Sequence, residues 1–473
     1  VVDDSGEVKE VDKSIAVLPF KSLSTDPEKQ YLADGVMDTI LLHLSKINDL
    51  RVISRTSVEQ YRDTNKTINN ICEELEVSYL LEGSFQKYGD EARLIAQLIQ
   101  PGRESHVWAN DYDRNWKDIF AVQSEVAQTV AGELKAVITP EEKQLIEKIP
   151  TTNMAAYEEY LKARTYWGDL SEESLNKELE YLNRALEKDP DFAPVYAGLA
   201  QVWVGLAQLG YATPEIAGPK IYENLNKALE LAPDFPTSHF VNAGVAVWTE
   251  WDWEKGEKEF LTALKLDPND ALCRIYYAQL LMILRRYDEA HFHSQMAYEL
   301  DPMNSKVLAL SAMVDYNGKH KQSLEKSKKA LEINPGEILA LVSFQYSSFL
   351  NGDEENSIKT LLKFRPELNE VAREAVMNTF KEKGYTAAIE TMLTYLEEYA
   401  KTNFITPTTM GEYYYSVGNL EKAIECYEMA FEMHDPMLPY FTMQEGYGFD
   451  DIKDDPRIIS LVKKMNLPIL PPE

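Results

Sequence analysis

One phrase recurs along the chain. It reads ALEKDP at Ala185–Pro190, ALELAP at Ala228–Pro233, ALKLDP at Ala263–Pro268, AYELDP at Ala297–Pro302, ALEINP at Ala330–Pro335 and AFEMHDP at Ala430–Pro436. Successive prolines are 43, 35, 34, 33 and 101 residues apart. Each part of the phrase has a physical reason. Alanine is small where one helix must approach its neighbour closely. The apolar residue after it adds to a buried face. The acidic or amide residue and proline then end the helix, because proline cannot continue the backbone ladder. A period near 34 residues predicts stacked helical hairpins, and 101 is close to three such periods. The spacing of 43 predicts an insertion, placed around Gly210–Pro219.

These repeats resemble the tetratricopeptide (TPR) repeat over residues 151–440. Phe240, Gly244, Phe260 and Ala263 occupy its positions in one repeat, Tyr277, Ala278, Leu281, Ala290 and Ala297 in the next, and Gly411, Tyr414, Ala423, Tyr427 and Ala430 in the last clear one. The signature weakens between Gly352 and Lys401, where helical patterning continues through Asn356–Phe364, Val371–Lys383 and Thr386–Tyr399. Seven or eight hairpins are expected, in an all-α superhelix.

The resemblance implies an inner groove lined by the first helix of each hairpin, which in other TPR proteins takes extended peptides or helices. It turns Gln201, Val245, Trp248, Gln279, Met282, Asp315, Glu412 and Tyr415 toward that groove as partner-binding residues. The competing reading is that several pack inward, or that the chain fills its own groove. Trp248, Trp251 and Trp253 cluster at a helix end, with a core role expected for at least two. The stretch Tyr447–Pro468, within a final segment of residues 441–473, is expected to cap the last hairpin.

Residues 13–140 read differently. Strands are predicted at Ser14–Phe20, Leu50–Ser54, Ser78–Tyr88, Glu91–Ile99 and His106–Tyr112, and helices at Gln30–Ile47, Thr67–Leu75 and Ile119–Ala136. Gly89-Asp90 supplies a hairpin turn. This is an α/β domain of layers. IAVLPF, YLADGVMDTILLHLSKI, RVISRTS, YLLEGSFQKYG, ARLIAQLI, HVWANDYDR and DIFAVQSEVAQ resemble, in order, the TolB amino-terminal-like domain. The nearest version stands beside TPR arrays in bacterial cyclase-type and transcription-regulator proteins. That resemblance implies a non-catalytic domain following an effector, either a nucleotidyl cyclase or a DNA-binding domain, commonly with a membrane segment between. Residues 1–12 then read as a linker from an upstream region, with a membrane tether before Val1. Gly35 and Gly83 are read as close-packing positions, and Arg55, Asp111, Asp113 and Arg114 as turn and surface ion-pair residues.

The formal net charge is −30, with −9 on residues 1–140 and −21 on the remainder. No basic stripe offsets it, so nucleic acid is not expected as a partner. A protein or peptide of basic or neutral character fits better; the alternative is that the charge only keeps a large surface soluble. Cys72, Cys273 and Cys426 are far apart and define neither a disulfide framework nor a zinc site. His291 and His293, two apart on a predicted helix, face different ways. No Walker, G-x-S-x-G or H-E-x-x-H pattern occurs. The expectation is a non-enzymatic, cofactor-free sensory or regulatory region binding a protein or peptide and coupled to an upstream effector, on the periplasmic side of a bacterial inner membrane. The alternatives are a free-standing cell-envelope scaffold, an enzyme with an interdomain site, and a cytoplasmic location.

Overall fold

The computed structural model describes residues 12–24, 26–102, 106–168, 171–443 and 449–468. The predicted linker lies outside them, apart from Asp12. The chain divides into two compact units, residues 1–243 with 258–270 and residues 244–257 with 271–473. No helix among the described residues is long and apolar enough to cross a membrane.

The first unit holds the sheet. Its strands are β1 (Ser14–Val17), β2 (Lys21–Ser22), β3 (Arg51–Val52), β4 (Tyr79–Tyr88), β5 (Glu91–Ile99) and β6 (Trp108–Asn115). They run in the order β3-β1-β4-β5-β6, with β2 also beside β4. The pairs β1/β3 and β1/β4 are parallel and need crossovers. These are supplied by α1 (Gln30–Ser45), α2 (Arg55–Glu59) and α3 (Ile68–Leu75). The β4/β5 pair is antiparallel and closes at Tyr88 opposite Glu91, with Gly89 at φ 62° in the turn.

Side-chain alternation sorts the sheet into two faces. Ile15 and Val17 join a core with α1 and α4 (Ile119–Glu133), while Ala16 and Leu18 join a smaller one with Ile71, Cys72 and Leu75 of α3. A further helix, α5 (Pro140–Glu147), begins with a reciprocal cap between Thr139 and Glu142 and was not anticipated from the sequence.

The larger core does not stop at the sheet. It continues through Tyr157, Leu161, Leu182, Leu199 and Leu206, which belong to the first helical hairpins. Gly35 makes the approach possible: a Cβ there would lie 2.4 Å from Leu161 Cδ2. Gly83 similarly faces the Phe20 ring, where a Cβ would meet it at 2.7 Å.

Eight hairpins follow among the described residues. They pair α6 (Met154–Arg164) with α7 (Glu172–Lys188), α8 (Ala193–Gln208) with α9 (Pro214–Leu231), and α10 (Pro236–Gly244) with α11 (Trp253–Leu266). Next come α12 (Ala271–Ile283) with α13 (Tyr287–Leu300), α14 (Ser305–Val314) with α15 (His320–Ile333), and α16 (Ile338–Leu350) with α17 (Glu354–Lys363). The last are α18 (Glu370–Lys383) with α19 (Tyr385–Ala400) and α20 (Pro407–Ser416) with α21 (Leu420–Glu432). Two short helices, α22 (Phe449–Ile452) and α23 (Pro456–Lys464), complete the described chain. The boundary between the compact units falls inside the third hairpin.

The recurrent phrase does the same thing each time. Ala185, Ala228, Ala263, Ala297, Ala330 and Ala430 are all buried. Each carbonyl accepts a closing bond from the backbone N–H of residue 189, 232, 267, 301, 334 or 435, at 2.8–3.0 Å. The residue before proline leaves the helical region, as proline favours, and is extended at Asp189 (φ −144°) and Asn334 (φ −138°). The last phrase is one residue longer, and His434 takes up the excess at φ 54°. The insertion near Gly210 is not a long loop. Most of it lengthens α8 and α9 to 16 and 18 residues, around a tight turn with Gly210 at φ 74°.

In the second unit the tail reaches further than a cap. Helix α23 does sit against the last hairpin, where Arg457 holds both oxygens of Glu421 at 2.8 and 2.9 Å. The chain around it also returns to the segments 244–257 and 271–285. Thr442 donates to the Ile283 carbonyl at 2.9 Å, Arg285 grips both oxygens of Asp450 at 3.1 and 3.0 Å, and Trp253 Nε1 donates to the Met465 carbonyl at 2.8 Å.

Candidate functional site

An open cleft lies in the first unit, on the hairpins nearest the sheet. Tyr160, Ala163 and Arg164 come from α6, Trp167 from the turn after it, Glu178 and Leu182 from α7, and Pro194, Gly198 and Gln201 from α8; Phe235 and Thr237 complete the lining. Gly198 lets α8 come close to α7, since a Cβ would sit 3.3 Å from Leu182 Cδ1.

The charges here are unevenly paired. Arg164 lies 3.5 Å from Asp38 of α1, and its guanidinium stacks 3.6 Å from the centre of the Trp167 ring. Asp38 is also held by Arg55. Glu178 is buried. Burial pushes its carboxyl up to about 7, against the opposing pull of Arg164.

In the second unit, two of the expected groove residues meet the end of the chain. Trp248 stands edge-on to Tyr276 at 5.6 Å and bonds the hydroxyl of Tyr440 in the tail. Tyr415 donates a hydrogen bond from its hydroxyl to Asp451, also in the tail. The segment Leu438–Thr442 is buried throughout. At the helix end near Trp248, residues Val245–Glu250 form a π turn and Trp251 adopts φ 55°. That turn aims Trp251 at the His434 ring, 3.7 Å away and nearly parallel, and leaves Trp251 and Trp253 buried, as expected for two of the three tryptophans.

Of the eight predicted groove residues, only Gln201 lines the open cleft. Trp248 and Tyr415 face the chain's own tail. Glu412 is half-buried beside Arg365, its carboxyl pushed up to about 8 by burial, with Arg365 pulling it down and Asp435 adding to the rise. Val245, Gln279, Met282 and Asp315 correct the sequence reading: all four are buried. Gln279 donates to the Leu310 carbonyl at 3.2 Å, and Asp315 pairs with Lys326 at 2.6 Å. Gln279 thus joins two neighbouring hairpins, and Asp315 joins the two helices of one.

Arg164, Trp167 and Glu178 were not singled out from the sequence. Glu178 left a signal: it interrupts the apolar stripe Leu175, Leu182, Ala185 on α7, where a carboxylate has no packing reason to be. Elsewhere the polar residues noted in the sequence are structural. Asp111 pairs with Arg93 at 3.0 Å, Asp113 accepts from Tyr88 at 2.7 Å, and His291 bonds the Tyr287 carbonyl at 2.8 Å.

Residues 11–129 match the family model described as HilA/YgeH-like transcriptional regulator, second domain. That description differs from the TolB amino-terminal-like domain these residues resemble. A stretch of 244 residues is 34% identical to putative adenylate cyclase 3 of Rhizobium meliloti (strain 1021), covering 50% of this chain and 40% of that protein. The chain thus spans less than half the length of this curated relative. Solved structures with similar helical repeats include a thermophilic TPR protein of Thermus thermophilus (17% identity, TM-score 0.34, 41% of this chain and all of that one). A TPR protein of Parabacteroides merdae ATCC 43184 aligns at 14% identity and TM-score 0.35, over 57% of this chain and 99% of its own. The human IFIT1 dimer aligns at 16% identity and TM-score 0.40, over 66% and 77%. The repeat assignment here rests on the hairpins themselves, with their recurrent buried alanines and closing hydrogen bonds.

Proposed function

We propose that this chain is a non-catalytic sensory region that binds a protein or peptide through its TPR hairpins and reports the binding to an upstream effector. The observation that carries the reading is the continuous core shared by the sheet and the first hairpins, from Ile15 to Leu206. Closely packed interiors transmit a displacement rather than absorb it. A ligand seated on α6–α8 would therefore bear directly on α1 and the strands before it. The match to a transcriptional-regulator domain and the similarity to a putative adenylate cyclase support an effector of one of those two kinds. The TolB-like resemblance supports a position after a membrane tether, on the periplasmic side.

The test uses the whole protein in its native cells. A tagged protein should co-purify with a discrete partner, and Gln201→Arg, at the cleft, should lose that partner without a change in melting. Cyclic-nucleotide level or promoter occupancy should respond to the partner in the native protein and not in the variant. Binding with no change in either output would make the chain a scaffold and remove the sensory role.

A further inference from the structure

We propose that the cleft between α6, α7 and α8 is a cation subsite, in which Glu178 receives the ammonium or guanidinium group of a lysine or arginine presented by the partner polypeptide. The inference rests on the reading above and adds to it the chemistry of one contact.

The first observation is the carboxylate itself. Glu178 is a buried residue and the one carboxylate among the described residues that line the cleft. Its side chain lines the cleft. Arg164 acts on that carboxyl from nearby, but its guanidinium is shared with Asp38 and the Trp167 face.

The second observation is the wall. Tyr160, Trp167 and Phe235 surround the same space, and Tyr160 is braced by Phe192 at 5.2 Å between ring centres. Aromatic faces beside one carboxylate favour an organic cation over a metal ion or an anion. The Trp167 ring already carries one guanidinium on its face. A lysine or arginine stem would cover the ring edges while its head meets Glu178. The formal charge of −30 on the chain draws a cationic partner toward it from a distance.

The experiment titrates the full chain, by calorimetry, with capped seven-residue alanine peptides carrying one central lysine, arginine, norleucine or glutamate; butylammonium chloride provides the isolated side chain. The lysine and arginine peptides should bind at least about tenfold tighter than the norleucine peptide, and the glutamate peptide should not bind. Glu178→Gln should erase the preference, and Trp167→Ala should weaken it at least about threefold, both with unchanged circular dichroism. Butylammonium binding without peptide binding would assign the site to a small cation and overturn the polypeptide ligand. Equal binding of lysine and norleucine peptides, absence of any binding, or a preference that survives Glu178→Gln would overturn the subsite. Retention of the native partner by Glu178→Gln, together with failure of the peptides, would remove this inference and leave the proposed function standing.

Discussion

Trp253 donates its indole N–H to the Met465 carbonyl across 2.8 Å, and so ties the first residue of α11 to the end of α23. Both groups are buried, so this bond matters more than an exposed one. Trp253→Phe keeps most of the packing and leaves the carbonyl unsatisfied, at a cost of about 1–3 kcal/mol. The expected result is faster proteolytic cleavage at Arg457 and Lys464, by roughly fivefold or more, with the hairpins intact. Unchanged cleavage would mean the tail is held by its apolar contacts alone.

The glycines separate two effects on one chain. A Cβ at Gly411 would lie 2.7 Å from Tyr427 Cε1, where a fully buried ring cannot give way, so Gly411→Ala should cost about 1–3 kcal/mol. A Cβ at Gly132, in the last turn of α4, would meet nothing within 4 Å, so Gly132→Ala should stabilise by about 0.5–1 kcal/mol through the helix alone. Thermal melts of the two variants should move in opposite directions.

Gln279 gives a third outcome. It is fully buried and bonds the Leu310 carbonyl, so Gln279→Ala should lower stability by about 1–3 kcal/mol. Partner capture at temperatures where the variant stays folded should not change. Lost capture in a variant that melts normally would return Gln279 to the binding surface.

These cases mark what the sequence could carry. The buried alanines, the prolines after them and the tight glycines have local causes, so the hairpins were legible, including those between Gly352 and Lys401, where only the helical period remains. Strand β2 and helix α2 were not, because two and five residues are too short to show a period. The groove residues were placed by their position in the repeat, which assumes an open inner wall. Contacts between residues far apart in the chain decide that instead. Thr249 and His434, or Trp253 and Met465, carry no shared local pattern, and they bring the tail across Trp248. Glu178 was readable as a carboxylate in an apolar stripe, but its meaning required knowing that α6 and α8 flank it.

The raised carboxyls predict how stability follows pH. Burial lifts Glu412 to about 8, above its unfolded value, so the folded state holds a proton that the unfolded state releases. Its contribution is full below the ordinary glutamate range and is lost as pH rises through about 8. Asp267, buried beside Ser45 and lifted to about 7, has the same sign. The melting temperature should therefore fall between about pH 5 and about pH 8.5. Glu412→Gln removes one of these protons and should flatten the fall, with a melting temperature at about pH 8.5 higher by about 2–4 °C. A variant that melts lower than the native protein at both pH values would show that the carboxyl is needed in its charged form.

The most direct test is the location of the partner. A photo-crosslinking amino acid at position 201, in the cleft, is compared with the same residue at Leu261 and Phe292, which are exposed elsewhere on the hairpins. In native cells the account predicts one discrete crosslinked partner from position 201, competed by the lysine peptide, and none from positions 261 or 292. Equal crosslinking at all three positions, or a partner captured only at 261 or 292, would contradict it.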